Sequence, residues 1–319
     1  MSTHLHNLLS ANDPVPKIYT VQQAFGLPSQ MKIPGFAPGH PLVPEKKPAF
    51  VWQTALVKDL IEWLLDPSPD PLWITGPTGC GKTELLVQLG ATLHLPTVVV
   101  SAKKSTEPDD ILGRIRLHNG STVFEPGVLL RAYAKGYFIL FDEIDGYPPD
   151  VMLACHRILE KKPVVLDSGE IIAPAARVLL AATANTRGDG EGGEIYTATS
   201  IFNLATLNRF EKWVMDYYPP EIETRIIQTA LPELNEQAIV CMVKSAKDIR
   251  VAFEQGSCPG PISTRDLIRW GRKLLLSAQR TDVKPLYHAF DKAFGNGLNK
   301  HVRAALHKIL QSHFSVPTP

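Results

Sequence analysis

Short apolar runs recur through the middle of the chain, separated by longer segments in which apolar residues repeat with a helical period. Such runs suit buried strands, and their alternation with helices predicts a parallel sheet covered by helices. The predicted strands are residues 72–75, 97–100, 137–141, 178–182 and 214–217. A helix is predicted over residues 82–93, where Leu85, Leu86, Leu89 and Leu93 fall on one face.

The two ends of the chain follow other patterns. Residues 1–48 contain eight prolines, a density that excludes a long helix and predicts an extended segment. After Pro219 and Pro220 the strand pattern stops, and the predicted helices are residues 221–230, 235–254, 264–276, 283–294 and 298–314. We therefore predict three parts: a proline-rich segment over 1–48, an α/β core over 49–218 and an all-helical domain over 219–319.

Two segments inside the core predict β-hairpins rather than helices. In residues 163–173, two β-branched runs flank the turn sequence Asp167-Ser168-Gly169. In residues 115–124, alternating runs flank His118-Asn119-Gly120. Both turn sequences contain residue types that tight hairpin turns favour.

One octet carries the strongest chemical signal of the chain. It follows the first predicted strand and opens the predicted helix 82–93, and it consists of Gly76, Pro77, Thr78, Gly79, Cys80, Gly81, Lys82 and Thr83. This is the spacing of a phosphate-binding loop, whose glycines let backbone N–H groups surround an anion. Lys82 is predicted to reach the β- and γ-phosphates, and the Thr83 hydroxyl to bind Mg²⁺. The octet therefore predicts binding of a nucleoside triphosphate, with ATP and Mg²⁺ as cofactors.

Polar residues end two other predicted strands. Asp142 and Glu143 follow residues 137–141, about sixty positions after the loop, where Asp142 is placed to hold Mg²⁺ and Glu143 to act as a general base on water. An Asp-Glu pair alone is usually a solvated strand end, but open parallel sheets bind ligands at this edge. Asn185 follows the next strand, and the residues alone fit both a turn and a group that orients water.

Two arginines complete the set of candidate residues. Arg209 follows a polar stretch near the end of the core, and Arg265 begins a predicted helix of the C-terminal part. An arginine supplied to a γ-phosphate from another subunit can contribute about 10³–10⁵ in rate. For any single arginine, a surface ion pair is the more common role.

Taken together, these residues resemble an AAA+ ATPase. The elements named Walker A, Walker B, sensor 1, arginine finger and sensor 2 are matched, in order, by Gly76–Thr83, Asp142-Glu143, Asn185, Arg209 and Arg265. The two predicted hairpins are typical of the MoxR-like branch of that family. Within the branch the chain is similar nearly end to end to the CobS type, the ATPase subunit of aerobic cobaltochelatase. Asn208 departs from that pattern, in which Asp is common before the finger arginine.

The resemblance implies an αβα core with sheet order 5-1-4-3-2, inserted β-hairpins and a helical lid. It implies a homo-oligomeric ring, most commonly a hexamer, with ATP between protomers. In such a ring Asn185 positions the attacking water, Arg209 acts on the neighbouring subunit's ATP and Arg265 senses the γ-phosphate from the lid. It also implies a separately encoded partner with a von Willebrand A domain, of the CobT-like kind.

Composition limits the alternatives. The net charge of +1 favours neither nucleic acid nor an anionic membrane as a partner, and no apolar stretch is long enough for a membrane span, so we expect a cytoplasmic protein. The four cysteines are scattered without metal-ligand spacing.

Four functions stay open. They are a partner-remodelling ATPase, the ATPase subunit of a cobaltochelatase, a nucleic-acid motor and a nucleotide-gated scaffold. The low net charge and the lack of interleaved aromatic and basic residues disfavour the motor. The complete set of catalytic residues disfavours the scaffold.

Overall fold

The computed structural model of the chain describes residues 13–101, 103–118, 120–166, 169–190 and 199–315. These residues form two compact units. The first contains the described chain up to Lys46, residues 52–76 and residues 82–215. The second contains residues 47–51, residues 77–81 and the described chain from Asp216 onward. The domain limits 1–48, 49–218 and 219–319 stay predictions.

The first unit begins with two short strands. Strand β1 (Pro16–Thr20) pairs in antiparallel register with β2 (Lys32–Phe36), and helix α1 (Val21–Phe25) lies between them. Thr20 caps α1 through a capping box with Gln23, and Gly26 ends it in the left-handed conformation that favours glycine. The described part of the proline-rich segment therefore contains two short strands and a helix of about one and a half turns, and no long helix.

The remaining elements of the first unit are strands and helices, in places with two or three of one kind in succession. In chain order they are α2 (Thr54–Leu65), β3 (Leu72–Thr75), α3 (Lys82–Leu93), β4 (Thr97–Ser101), α4 (Pro108–Leu112), β5 (Gly113–His118), β6 (Ser121–Pro126), α5 (Val128–Lys135), β7 (Phe138–Asp142), α6 (Pro149–Ala154), α7 (His156–Leu159), β8 (Val164–Val165), β9 (Ile171–Ile172), β10 (Leu180–Ala184), α8 (Leu204–Leu207) and β11 (Glu211–Val214). A single 3₁₀ turn, Ile144–Gly146, follows β7.

The central sheet has five parallel strands in the order β11-β3-β10-β7-β4. This is the predicted order 5-1-4-3-2, which is confirmed. Strands β3 and β10 are buried at every position, as expected for central strands covered on both faces. Because β3, β10 and β7 are neighbours and parallel, their carboxyl ends meet at one edge of the sheet. The phosphate loop, Asn185 and Asp142 all follow these ends.

The position predicted for the fifth strand was wrong. We predicted it over residues 214–217, but β11 spans Glu211–Val214 and pairs with β3 from Leu72 to Thr75. The Glu211 N–H donates to the Pro71 carbonyl oxygen and the Met215 N–H to that of Thr75, which sets this register. Among the described residues β11 pairs with β3 alone, and an edge strand needs few apolar residues: Val214 is 76% exposed. Of the apolar residues that suggested the strand, Met215 and Tyr217 lie beyond its end.

Both predicted hairpins are confirmed. Strand β5 pairs with β6, and β8 pairs with β9, each in antiparallel register and apart from the central sheet. Of the predicted turn residues, Asn119, Asp167 and Ser168 lie outside the described residues.

The second unit is helical in its described part. Its helices are α9 (Pro220–Ala230), α10 (Glu236–Glu254), α11 (Thr264–Ser277), α12 (Pro285–Ala293) and α13 (Lys300–Phe314). Side-chain caps start three of them: Asn235 for α10, Ser263 for α11 and Asn299 for α13. Trp270 is fully buried at the centre and meets Phe290 edge to face, with ring centroids 5.2 Å apart. No helix in the described part of the chain has both the length and the apolar character to cross a membrane.

Candidate functional site

The lysine of the phosphate loop is held by two neighbouring strand ends. Lys82 opens α3 and is only 7% exposed. Its Nζ donates to the Gly76 carbonyl oxygen at 2.7 Å and to Asn185 Oδ1 at 3.1 Å. Gly76 follows β3 and Asn185 follows β10, two strands that pair directly. The structure therefore brings Lys82 and Asn185 together, although 103 residues separate them in the chain.

Thr83 and Asp142 meet at the same edge of the sheet. The Thr83 hydroxyl donates to Asp142 Oδ1 at 2.7 Å, and the Thr183 hydroxyl donates to the same oxygen at 2.8 Å. The sequence predicted that Thr83 and Asp142 serve one Mg²⁺ site but assigned no role to Thr183, which lies inside β10 and is buried. The two hydroxyls hold the carboxylate of Asp142 in one orientation.

Glu143 has an unusual backbone. Its φ of 50° and ψ of 51° place it in the left-handed region, which non-glycine residues rarely adopt. Its N–H donates to Thr183 Oγ1 at 3.1 Å, and the 3₁₀ turn begins immediately after it. This turn sends the chain away from the axis of β7. The Glu143 side chain is exposed and forms no hydrogen bond or ion pair with any residue the structure describes.

A buried carboxylate fixes the position of Asn185. Asp145 is only 1% exposed, and its Oδ2 accepts from the Asn185 N–H at 2.8 Å, the Thr186 N–H at 2.9 Å and the Thr186 hydroxyl at 3.0 Å. The main-chain oxygen of Asp145 also accepts from the Ser200 N–H at 2.6 Å. Sequence reasoning assigned no role to Asp145. The sequence offers one hint, an acidic residue just after the Asp142-Glu143 pair. That this residue lies in the protein interior is visible only in the structure.

The interior of the phosphate loop belongs to the second unit. Cys80 is fully buried, and its N–H donates to the Pro77 carbonyl oxygen at 3.3 Å. Gly79 has a φ of 78°, and a Cβ added there would lie 2.3 Å from the Cβ of Ser263. The loop therefore requires glycine at a position that the phosphate-loop pattern leaves unspecified. The carbonyl oxygen of Thr78 accepts from the Tyr217 hydroxyl at 2.9 Å.

The second unit also contains a buried ion pair that the sequence did not predict. Arg250 donates from both Nη atoms to the two carboxylate oxygens of Glu223, at 2.8 and 2.9 Å. The Thr264 hydroxyl donates to Glu223 as well, at 2.7 Å, and the Arg250 guanidinium lies 4.0 Å from the ring centroid of Tyr217. Thr264 starts α11, so this pair anchors the end of the helix that carries Arg265. Arg265 itself is exposed and forms no hydrogen bond or ion pair with another described residue.

Arg209 is placed apart from the cluster around Lys82. Its Nε donates to Glu160 Oε1 at 2.8 Å, its Nη2 donates to the same oxygen, and its Nη1 donates to the Ala205 carbonyl oxygen. Glu160 also accepts from Lys162 Nζ at 2.7 Å. These hydrogen bonds from Lys162 and Arg209 lower the pKa of Glu160 to about 2. Sequence reasoning did not identify Glu160, because a Glu in a Glu-Lys-Lys run reads as a solvated helix end.

Comparison with known proteins adds the family. Residues 71–200 match the model of the AAA domain of the dynein-related subfamily, and residues 223–313 match that of the CbbQ/NirQ/NorQ C-terminal region. The chain belongs to the MoxR-like AAA+ ATPases. The resemblance drawn from the sequence is therefore confirmed, and the second model begins near the start of α9.

Two curated relatives extend across most of this AAA+ chain. One is the aerobic cobaltochelatase subunit CobS of a Sinorhizobium species, 27% identical over 262 residues, which are 79% of this chain and 78% of CobS. The other is the protein NorQ of Paracoccus denitrificans, 27% identical over 76% of this chain and 86% of NorQ. Among solved structures, a Thermotoga maritima RuvB Holliday junction branch migration motor is 16% identical over 84% of this chain and 72% of its own, with a TM-score of 0.46.

Proposed function

We propose that this AAA+ protein is a Mg-ATP-hydrolysing ring ATPase that remodels or activates a partner protein complex. The observation that carries the proposal is the cluster at the carboxyl edge of three adjacent strands: Lys82, Thr83, Asp142 and Asn185, joined by direct hydrogen bonds. Each residue of this cluster has a chemistry that nucleotide hydrolysis requires.

Lys82 is assigned to the phosphates. Two acceptors of its ammonium group, the Gly76 carbonyl oxygen and Asn185 Oδ1, are neutral, and an anionic γ-phosphate oxygen would be a stronger acceptor than either. The Gly76–Thr83 backbone supplies further N–H donors, and Gly79 and Gly81 adopt positive φ angles that allow the loop to turn them inward. ATP binding therefore needs little movement of the lysine.

Thr83 and Asp142 would hold Mg²⁺. A hydroxyl and a carboxylate are hard oxygen donors of the kind this ion prefers, and here their oxygens already lie 2.7 Å apart. The residues present therefore fit the ion. When bound, Mg²⁺ supplies positive charge that stabilises the charge on the β- and γ-phosphate oxygens during transfer.

Glu143 and Asn185 are assigned to the attacking water. The Glu143 carboxylate is exposed at the strand edge and is the group we propose as general base. The Asn185 amide, fixed by Asp145, would hold the water in line with the bond that breaks. The pairing of β7 with β10 supports this assignment, because Glu143 and Asn185 each follow one of these two strands.

Arg209 and Arg265 are assigned to the assembled ring. We propose a hexamer in which Arg209 acts on the ATP of the neighbouring protomer and Arg265 responds to the γ-phosphate from the helical part. Support for Arg209 comes from its position, since its hydrogen bonds lead to Glu160 and Ala205 rather than to the cluster of its own chain. Support for Arg265 comes from the anchoring of α11 at Thr264.

The partner we propose is a separately encoded protein with a von Willebrand A domain. The name of CobS supports a second candidate, an ATPase subunit that drives cobalt insertion by a cobaltochelatase. Such a subunit would need another chain for the chelation, because the described residues contain no group of three or more His, Cys, Asp or Glu able to hold a metal.

The test measures ATP turnover and particle size for wild type, Glu143→Gln and Lys82→Ala. Each protein is measured with and without the von Willebrand A protein encoded by a neighbouring gene. We expect a ring with ATP, turnover stimulated by that partner, and a loss of about 10²–10⁴ in kcat for Glu143→Gln with ATP binding retained. Lys82→Ala should fail to bind ATP. Normal turnover by Glu143→Gln would remove the assignment of the base. Stimulation by DNA with steep salt dependence, and none by the partner, would favour a nucleic-acid motor instead.

A further inference from the structure

The guanidinium of Arg209 is oriented by contacts within its own chain. Glu160 Oε1 accepts from both Nε and Nη2, and the Ala205 carbonyl oxygen accepts from Nη1. An arginine side chain has four rotatable bonds and loses considerable entropy when it is fixed. Three N–H donors bound to acceptors in two directions hold the planar guanidinium in one orientation. The side-chain entropy is therefore lost when the subunit folds, before the arginine meets a neighbouring subunit.

The segments that carry the two residues are joined along two successive turns. His156 and Glu160 are four positions apart on α7 and its C-cap, and so lie on one face. Thr206 lies on α8, and Arg209 lies three positions later, just after the C-cap Asn208. His156 Nε2 lies 2.8 Å from Thr206 Oγ1, one turn before the Glu160–Arg209 contact. Glu160 therefore belongs to a packed junction between two elements and is not a lone surface carboxylate.

The electrostatics of this junction leave Arg209 able to act as a cation. Lys162 Nζ binds the other carboxylate oxygen of Glu160 at 2.7 Å, so one carboxylate is shared between two cations and the group keeps a net positive charge. Arginine has five N–H groups, of which the described contacts use three, so two can still be donated. The Arg209 side chain is 24% exposed, which gives those two N–H groups a route to solvent or to a neighbouring molecule.

We propose that Glu160 is the positioning residue for Arg209: it holds the guanidinium so that its remaining N–H groups point at the γ-phosphate of the neighbouring subunit's ATP. The inference rests on the proposed role of Arg209 in trans. Glu160 touches no reacting atom. It acts by keeping a flexible side chain in the geometry that phosphoryl transfer needs, and a misplacement of about 1 Å can cost about 10² in rate.

The test is a double-mutant cycle between Glu160 and Arg209 on the assembled ring, read as kcat and KM for ATP. We expect Glu160→Ala to lose about 10–100-fold in kcat with KM for ATP changed less than about threefold. Arg209→Ala should lose more, and the double variant should be no slower than Arg209→Ala alone, because Glu160 acts only through that arginine. Glu160→Gln keeps an acceptor oxygen and should fall between wild type and Glu160→Ala.

The matched control is Glu125→Ala. Glu125 is also a glutamate of the first unit with two arginine partners, Arg116 and Arg131, but it does not contact Arg209. It should keep kcat within about twofold of wild type, since exposed ion pairs contribute little. Subunit mixing provides a second readout: Lys82→Ala subunits, inactive themselves, carry an intact Glu160 and Arg209 and should restore turnover to Glu160→Ala subunits.

The outcomes separate the two proposals. If wild type does not hydrolyse ATP, or if Arg209→Ala keeps the wild-type rate, the proposed function of Arg209 fails first. If Arg209→Ala is slow but both Glu160 variants keep the wild-type kcat, the positioning role is wrong. It is equally wrong if the losses of Glu160→Ala and Arg209→Ala multiply in the double variant, because Glu160 then acts independently of the arginine.

Discussion

The protein contains two Glu–Arg pairs that share a chemistry and differ in burial. In the helical unit, Glu223 and Arg250 are 1% and 9% exposed, and the guanidinium binds both oxygens of the carboxylate. In the first unit, Glu160 and Arg209 are 28% and 24% exposed. The described hydrogen bonds of Arg250 all end on acceptors of the helical unit, and the Ile262 carbonyl oxygen accepts the one from Nε.

The difference in burial distinguishes a pair that stabilises the fold from a pair that holds an arginine in position for a ligand. A buried ion pair stabilises little relative to apolar residues of the same volume, but it is expensive to break because one charge is left without a partner. A half-exposed pair costs little to break, since water solvates the charge that remains. An arginine that must meet a ligand therefore belongs in the second kind of environment, where its orientation can be fixed while its free N–H groups stay accessible.

The largest effect we expect is on turnover at the exposed pair. Arg209→Ala should reduce kcat by about 10³–10⁵, because it removes the charge that stabilises the transferring phosphoryl group. Thermal unfolding should change little. Mixing with Lys82→Ala subunits should restore part of the activity, since those subunits supply an intact arginine to the neighbouring site. An Arg209→Ala protein that is fully active by itself would place Arg209 among ordinary surface arginines.

The next effect is on stability at the buried pair. Arg250→Ala should destabilise the protein by about 3–5 kcal/mol, because it leaves the Glu223 carboxylate buried without its cation. The measurement is the midpoint of urea unfolding followed by helical circular dichroism. The control is the double variant Glu223→Leu/Arg250→Met, which removes both charges and should unfold at a higher urea concentration than Arg250→Ala. If both variants unfold together, the pair contributes through packing rather than charge.

The smallest effect we expect is the change with pH in the stability that the Glu160–Arg209 pair contributes. Glu160 has a pKa lowered from 4.5 to about 2 in the folded protein, so its contribution to stability is complete above pH 4.5 and is lost as the pH falls toward 2. The stability difference between wild type and Glu160→Gln should accordingly be constant from pH 7 to 5 and shrink below. Urea unfolding at several pH values would measure it. A difference that already shrinks between pH 7 and 5 would mean that Glu160 lacks the contacts described.

A feature could be predicted when residues close together in the sequence determine it, and could not when it depends on contacts between distant residues. The phosphate loop is one continuous octet, and Asp142 ends an apolar run, so the sequence itself indicates both. The sheet order came from the resemblance to AAA+ ATPases. The two hairpins could be predicted from their turn residues. The register of β11 could not, because its sequence Glu-Lys-Trp-Val has no continuous apolar run and hydrogen bonds to β3 define it.

The supporting residues could not be predicted for a related reason. Glu160 meets Arg209 across 49 positions, and Glu223 meets Arg250 across 27. Nothing in the local pattern distinguishes these residues from solvated charges on a helix. Thr183 and Asp145 likewise gain their roles only when β7 and β10 pair and bring the two strand ends side by side.

Asp145 has a consequence for how this protein can vary. Its side chain holds the backbone N–H groups of Asn185 and Thr186, and its main-chain oxygen accepts from the Ser200 N–H. Only the first two contacts depend on the side chain, so a substitution at Asp145 would release the backbone of Asn185 and Thr186 and leave the acceptor for Ser200 in place. The residue assigned to the attacking water is thereby sensitive to change at a buried position that has no assigned role toward ATP.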